Sequence, residues 1–190
     1  DHWRNWHFWR IDFDALQTEG TYFLEAESSS GKIRSLPFRI QDGILERTTL
    51  GNVVYYFKGQ RSSGALDRAD RHMTFLGAEN WPAVDVHGGW FDASGDYGKH
   101  LSHLAYSIYH NPQQIPFVVY SLLKTRDLLA QRGDPNFTQD LRRILDEALF
   151  GADYLVRVKV PEGSFYETIA NRGPEKKPED RRITPVRRLA

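Results

Sequence analysis

Eight apolar residues, Leu141, Ile144, Leu145, Ala148, Leu149, Ala152, Leu155 and Val156, recur at three- and four-residue steps without a break. That spacing sets them on one face of a helix of about four turns. A strand through the same stretch would scatter them over both faces, so the segment is helical and its apolar face needs partners. Thr138 stands where an N-cap belongs. Two similar patterns precede it. Ile115, Val118, Val119, Leu122, Leu123 and Leu129 predict a helix closed by Gly133, and Leu101, Leu104, Ala105 and Ile108 predict one ending before Asn111-Pro112. Ile40, Ile44, Arg47, Leu50, Val53, Val54 and Phe57 predict a fourth, with Gly51 inside it as a point of close packing.

Before residue 40 the period is two. His7, Trp9, Ile11 and Phe13 alternate with Phe8, Arg10 and Asp12, Thr21–Ala26 is β-like, and Lys32–Ile40 predicts a third strand passing through Pro37. Three short strands make too little sheet to bury two faces, and they suggest the end of a β-sandwich. Between Gln60 and Gly95 periodicity fades, and the segment is expected to be a long structured loop. Beyond Pro161 the chain is expected to be loop, with Arg172–Arg188 a solvated charged excursion. After residue 40, helices and loops are expected almost alone.

Composition narrows the function. The 190 residues carry 25 Lys+Arg against 25 Asp+Glu, so there is no basic field for a phosphate backbone and no nucleic-acid partner is expected. No apolar run approaches the ~20 residues of a membrane helix, so no membrane-spanning role is expected. With Cys 0, disulfides, thiolate zinc sites and a cysteine nucleophile are excluded. Trp 5, Tyr 9 and Phe 11 provide rings that fill cores and also stack on sugars.

Chemistry concentrates in Asp85–Lys99, which runs Asp-Val-His-Gly-Gly-Trp-Phe-Asp-Ala-Ser-Gly-Asp-Tyr-Gly-Lys. Only small residues separate Asp92 from Asp96, and such a turn can aim both carboxylates at one water molecule. A glycine-rich turn with Asx hydrogen bonds, or a calcium loop, is the alternative on spacing alone; the EF-hand oxygen pattern is absent.

Gly88-Gly89-Trp90-Phe91-Asp92-Ala93-Ser94-Gly95-Asp96 resembles the signature of glycoside hydrolase family 9. Gly20–Leu24, Ser35–Ile40 and Tyr55–Arg61 resemble the flanking parts of that family in the same order. The resemblance implies a mainly α fold: the first part of an (α/α)6 barrel (residues 41–190) preceded by the terminal strands of an immunoglobulin-like β-sandwich (residues 1–40). It implies a β-1,4-linked oligosaccharide as substrate and calls for no cofactor. Asp96 would be the general base that activates water. Asp92 would help hold that water and contact the sugar, and Tyr97, directly after the base, is a further candidate to line the sugar site. The extra Ser94 between the aspartates resembles the exo-β-D-glucosaminidase branch, which trims chitosan oligosaccharides; a β-1,4-glucanase or cellodextrinase is the alternative.

The family inverts the anomeric centre, which requires an acid roughly 6.5–9.5 Å from the base. No position here matches the family's acid glutamate, and the chain offers about four of the barrel's twelve helices. It is therefore expected to be an N-terminal portion, inactive alone, with the acid and the rest of the barrel on another segment or chain. A non-catalytic carbohydrate-binding chain is the other functional class. Of the remaining candidates, His100 and His103 at i,i+3 lack a third metal ligand and read as exposed helix histidines. His87 is expected to fix the loop by a hydrogen bond, Trp90 to anchor it, and Trp3, Trp6 and Trp9 to pack in a core or between domains rather than form a sugar stripe.

Overall fold

The structure is a computed structural model that describes residues 2–92, 97–100, 103–104, 110–111, 114–161, 163–172 and 175–184. The chain divides into two compact units, Asp1–Thr49 and Leu50–Ala190.

The first unit is built of two-stranded ladders. Strands β1 (His2–Trp3) and β2 (Trp6–His7) form one hairpin; the alternation predicted to continue to Phe13 stops at His7. Strands β3 (Gly20–Tyr22), β4 (Glu25–Ser28), β5 (Gly31–Arg34) and β6 (Phe38–Ile40) form one ribbon in which β4 pairs with β5 and β3 with β6. Leu24 and Ser35 bridge the two ladders, because Ser35 N–H donates to the Leu24 carbonyl and its Oγ accepts from Leu24 N–H. The strand predicted over Lys32–Ile40 is therefore interrupted, at the point where Pro37 has no N–H to offer a ladder. Phe38 stacks against Phe13 and Tyr22. Trp6, on β2, and Trp9, beyond its end, are 65% and 94% exposed, so neither packs in a core of this chain.

Helix α1 (Ile44–Gln60) runs across the boundary between the units. Gly51 lies within it without close packing, since a Cβ there would meet only Asp140 Oδ1 at 3.8 Å. The stretch expected to be loop after Gln60 contains α2 (Gly64–Ala69) and a 3-10 turn at Asp70–His72. Strand β7 (Lys99–His100) follows, then β8 (His103–Leu104) and β9 (His110–Asn111), which pair with each other. The described residues in the region predicted to be a helix from Leu101 to Ile108 are thus strand. His100 and His103 stand on strands, not on a helix surface.

Helices α3 (Gln114–Arg132) and α4 (Thr138–Arg157) pack along each other as an αα-hairpin, as their periodicity predicts. Gly133, at φ +66°, closes α3 in the left-handed conformation that glycine adopts without penalty. Asp134 then caps the Pro135–Phe137 turn by accepting from Asn136 N–H. Thr138 is the first helical residue and donates to the Pro135 carbonyl, so the cap belongs to the preceding turn rather than to Thr138. Along α4, Ile144 and Ala148 are buried while Leu149 and Val156 are exposed, so the stripe is only partly covered.

Strands β10 (Thr168–Asn171) and β11 (Arg181–Thr184) lie where loop was expected, and β7, β10 and β11 form a three-stranded antiparallel sheet. Ile169 and Ile183, opposite each other in the register, are fully buried. The core joins this sheet to α4 through Phe75, Val86, Trp90 and Tyr154.

Gly151 on α4 makes that junction possible. A Cβ there would overlap the Trp90 ring and lie 2.6 Å from Val119 Cγ2. Alanine in place of this glycine would gain about 1 kcal/mol of helix propensity. Overpacking costs typically ~1–3 kcal/mol, and with a fixed indole on one side and α3 on the other the upper part of that range applies. Gly151→Ala is expected to lower the denaturation midpoint, and a raised midpoint would show that the Trp90 seat yields readily.

Candidate active site

The glycine pair is dictated by shape. Gly88 and Gly89 have φ of +82° and +75°, where side chains are strained, and a Cβ on Gly89 would lie 2.8 Å from the Tyr154 ring. Two glycines therefore let the loop cross directly over α4. Backbone bonds hold it on both sides: Ser62 N–H donates to Gly89 O at 2.8 Å, Phe91 N–H to Gln60 O at 2.9 Å, and Val86 N–H to Asp70 O at 2.8 Å. The Asp67 carboxylate accepts from Gly88 N–H at 2.8 Å.

Trp90 is a buried anchor, as expected. Its indole N–H donates to Glu147 Oε1 at 2.6 Å, and Glu147 in turn accepts two bonds from Arg61 at 3.1 and 2.9 Å. Phe57 and Phe150 stack on the indole at 5.9 Å each. His87 fixes the loop: its Nδ1 lies 2.6 Å from Asp85 Oδ1, which also accepts His87 N–H. Burial pushes the Asp85 carboxyl up, but the His87 bonds outweigh it and hold the group below its usual range.

Of the proposed site residues, Asp92 and Tyr97 are described, and Asp96 lies outside the described residues. Asp92 is exposed, and its N–H donates to Gly98 O at 2.9 Å, closing the neck of the segment that carries Asp96. Tyr97 is 37% exposed and packs edge-on against Phe91 at 5.3 Å. The structure thus brings Asp92 and Tyr97 to the two ends of one closed loop.

Beneath that loop lies a cluster that sequence reasoning missed. Asp70, Lys99 and Arg181 come from the 3-10 turn, β7 and β11, and all three are 0% exposed. Lys99 Nζ lies 2.6 Å from Asp70 Oδ2 and donates to the carbonyls of Val86 at 2.6 Å and Gly88 at 2.9 Å. Arg181 grips Asp70 with two bonds at 2.6 and 2.9 Å and donates to Tyr97 O at 2.8 Å and Asn171 Oδ1 at 3.0 Å. Arg181 therefore corrects the expectation that Arg172–Arg188 is solvated throughout. Its strand alternates Arg181 and Ile183 inward with Arg182 and Thr184 half-buried, a period-two signal that its charge conceals. Burial pulls Lys99 down to about 8 despite the opposing pull of Asp70, and the nearby Arg181 adds to the fall. Burial, followed by Asp70, pushes the Tyr154 phenol well up, so it stays neutral.

Chemically, this is an exposed carboxylate, Asp92, at the end of a tightly bonded backbone segment with the buried cations Lys99 and Arg181 behind it. Among the described residues no group of three or more His, Asp or Glu could hold a metal ion.

Residues 47–187 match the family described as Glycosyl hydrolase family 9. No curated protein matches the chain. Among solved structures, the chain is similar to the glycoside hydrolase family 9 endoglucanase J30 (21% identity, TM-score 0.61, 92% of this chain and 35% of that one). It is similar to a metagenome-derived family 9 endoglucanase (25% identity, TM-score 0.58, 93% of this chain and 34% of that one). A Zn-binding triple mutant of J30 also matches, at 21% identity and TM-score 0.60, over 92% of this chain and 35% of that one. The chain spans about a third of the length of these enzymes. The family match extends over the larger part of the sequence and takes in the whole glycine–aspartate loop, and the chain belongs to glycosyl hydrolase family 9.

Proposed function

We propose that this chain forms the first part of the (α/α)6 barrel, and the water-activating half of the active site, of a β-1,4-glucanase. The observation that carries the proposal is the glycine–aspartate segment inside the family match, held at Val86, Gly88 and Tyr97 by buried cations and with Asp92 exposed. Asp96 acts as general base on the hydrolytic water. Asp92 orients that water and contacts the sugar, and Tyr97 lines the sugar site. The family's inverting chemistry places the proton donor across a gap of about 6.5–9.5 Å, on a glutamate from the remainder of the barrel. The β-ribbon from Gly20 to Ile40 is the end of an immunoglobulin-like sandwich, so residues 1–40 and 41–190 belong to different domains. The exposed Leu149 and Val156 on α4 fit a fold in which further barrel helices cover them.

Ser94 favours a second reading, an exo-acting glucosaminidase on chitosan oligosaccharides, in which Asp92 contacts a sugar amine. The full-length protein assayed side by side on cello- and chitosan-oligosaccharides separates the two. Faster turnover of cello-oligosaccharides, with inversion at the anomeric carbon, is expected. Faster turnover of chitosan oligomers would install the second reading, and hydrolysis of neither would overturn both. The 190-residue chain alone is expected to be inactive, for want of the acid.

A further inference from the structure

Nothing in general base chemistry requires a lysine beneath the aspartate loop, yet Lys99 is fully buried there with every donor of its ammonium engaged. We propose that Lys99 is a positioning residue for the hydrolytic reaction: its charged ammonium ties the Val86 and Gly88 carbonyls to Asp70 and so fixes the backbone that leads into Asp92. The inference rests on the glycosidase reading above.

The geometry is that of a clamp with two jaws sharing one carboxylate. Lys99 holds the entry stem of the loop, at Val86 and Gly88. Arg181 holds the exit stem, at the Tyr97 carbonyl, one residue after Asp96. Asp70 binds both cations and keeps the jaws in register. An ammonium has three N–H donors for the three acceptors that face it, whereas the neutral amine has two. Loss of the proton therefore releases one of the three bonds. A displacement of about 1 Å at a reacting group can lower a rate ~10²-fold, so a released stem reads out in kcat rather than in substrate binding.

The groups facing Lys99 are Asp70 from the 3-10 turn, Arg181 from β11, Asp67 from α2 and the Tyr154 ring from α4. Burial outweighs the acidic groups and brings the ammonium from the ordinary 10.5 to about 8, which places its titration within reach of a rate measurement. The sign of the linkage is unusual. The unfolded chain holds this proton more tightly than the folded one, so between pH 8 and 10.5 the folded state gains stability through Lys99 as pH rises. Positioning is lost as the ammonium itself titrates, around pH 8, at the lower end of that window. A purely structural lysine would show the gain in stability with turnover unchanged.

The test uses the full-length enzyme and a dinitrophenyl β-cellobioside, whose leaving group departs without a proton, so that the general acid's own titration drops out. For the unmodified enzyme, kcat is expected to fall at least about tenfold from pH 7 to 9.5 with KM changed less than about threefold. Lys99→Met, of similar length and without a charge, is expected to lower kcat at pH 7 by about 10–100-fold and to abolish the fall near pH 8. Over the same range the unmodified enzyme should gain denaturant stability relative to Lys99→Met. If Lys99→Met does not fold, Lys99→Arg, which keeps the charge without titrating in this range, takes its place and is expected to hold turnover level from pH 7 to 9.5. A variant that keeps both the turnover and the alkaline fall of the unmodified enzyme overturns the positioning role. An unmodified enzyme inactive on the aryl glycoside and on all cello- and chitosan-oligosaccharides overturns the glycosidase reading and this role with it.

Discussion

Asp96→Ala in the full-length enzyme is expected to lower kcat on cello-oligosaccharides by about 10²–10⁴-fold or more, with KM little changed. Proton abstraction from water happens only on the way to the transition state, so losing the base removes an interaction that the bound ground state never had. Asp92→Ala should also impair turnover, but partly through binding if its exposed carboxylate reaches the sugar. On chitosan oligomers, where a sugar amine can pair with that carboxylate, its effect should be larger than on cellodextrins. Azide can replace the missing activated water, because it is already a nucleophile and needs no base. Added to Asp96→Ala, it should restore part of the activity and give a glycosyl azide of inverted configuration, detectable by NMR. Near-full activity of Asp96→Ala combined with loss in Asp92→Ala would exchange the two roles. Full activity of both variants would reduce the motif to a turn.

The helices of this chain were legible where apolar period and length agreed. α4 and α3 carry long uninterrupted patterns; Gly133 marks the end of α3, whereas Thr138, read as the cap of α4, is its first helical residue. Of the stretch from Leu101 to Ile108 only His103 and Leu104 are described, and they pair as β8 with β9 through bonds that leave no periodic mark. Indoles favour burial, and Trp6 and Trp9, which find no core within this chain, keep packing between domains as the expectation. The loop itself was legible because backbone at positive φ against the Tyr154 ring admits only glycine at position 89. Its support was not. Asp70, Lys99 and Arg181 are far apart in sequence, and each reads singly as a surface charge. Only the crossing of the 3-10 turn, β7 and β11 makes them one group.

That crossing gives the largest stability effect expected for any single substitution here. Among the described residues Asp70 is the one carboxylate bonded to both buried cations, at 2.6 Å from Lys99 Nζ and at 2.6 and 2.9 Å from Arg181. Asp70→Ala leaves two positive groups facing each other without water, and breaking a buried pair in this way costs about 3–5 kcal/mol. Lys99 can escape by releasing its proton, which its position at about 8 already favours, but the Arg181 guanidinium cannot. Most of the penalty therefore falls on Arg181, and Lys99→Met should cost less in the Asp70→Ala background than in the unmodified protein. Denaturant unfolding of the single and double variants measures this directly, and the double variant should lose less than the sum of the single losses by at least about 0.5 kcal/mol. The loss should also be nearly independent of salt, since the pair is screened by protein and not by the ~10 Å ionic atmosphere at 0.1 M. An Asp70→Ala variant within about 0.5 kcal/mol of the unmodified protein, the range of ordinary surface substitutions, would mean that water reaches the cluster and that the cations behind the loop are solvated.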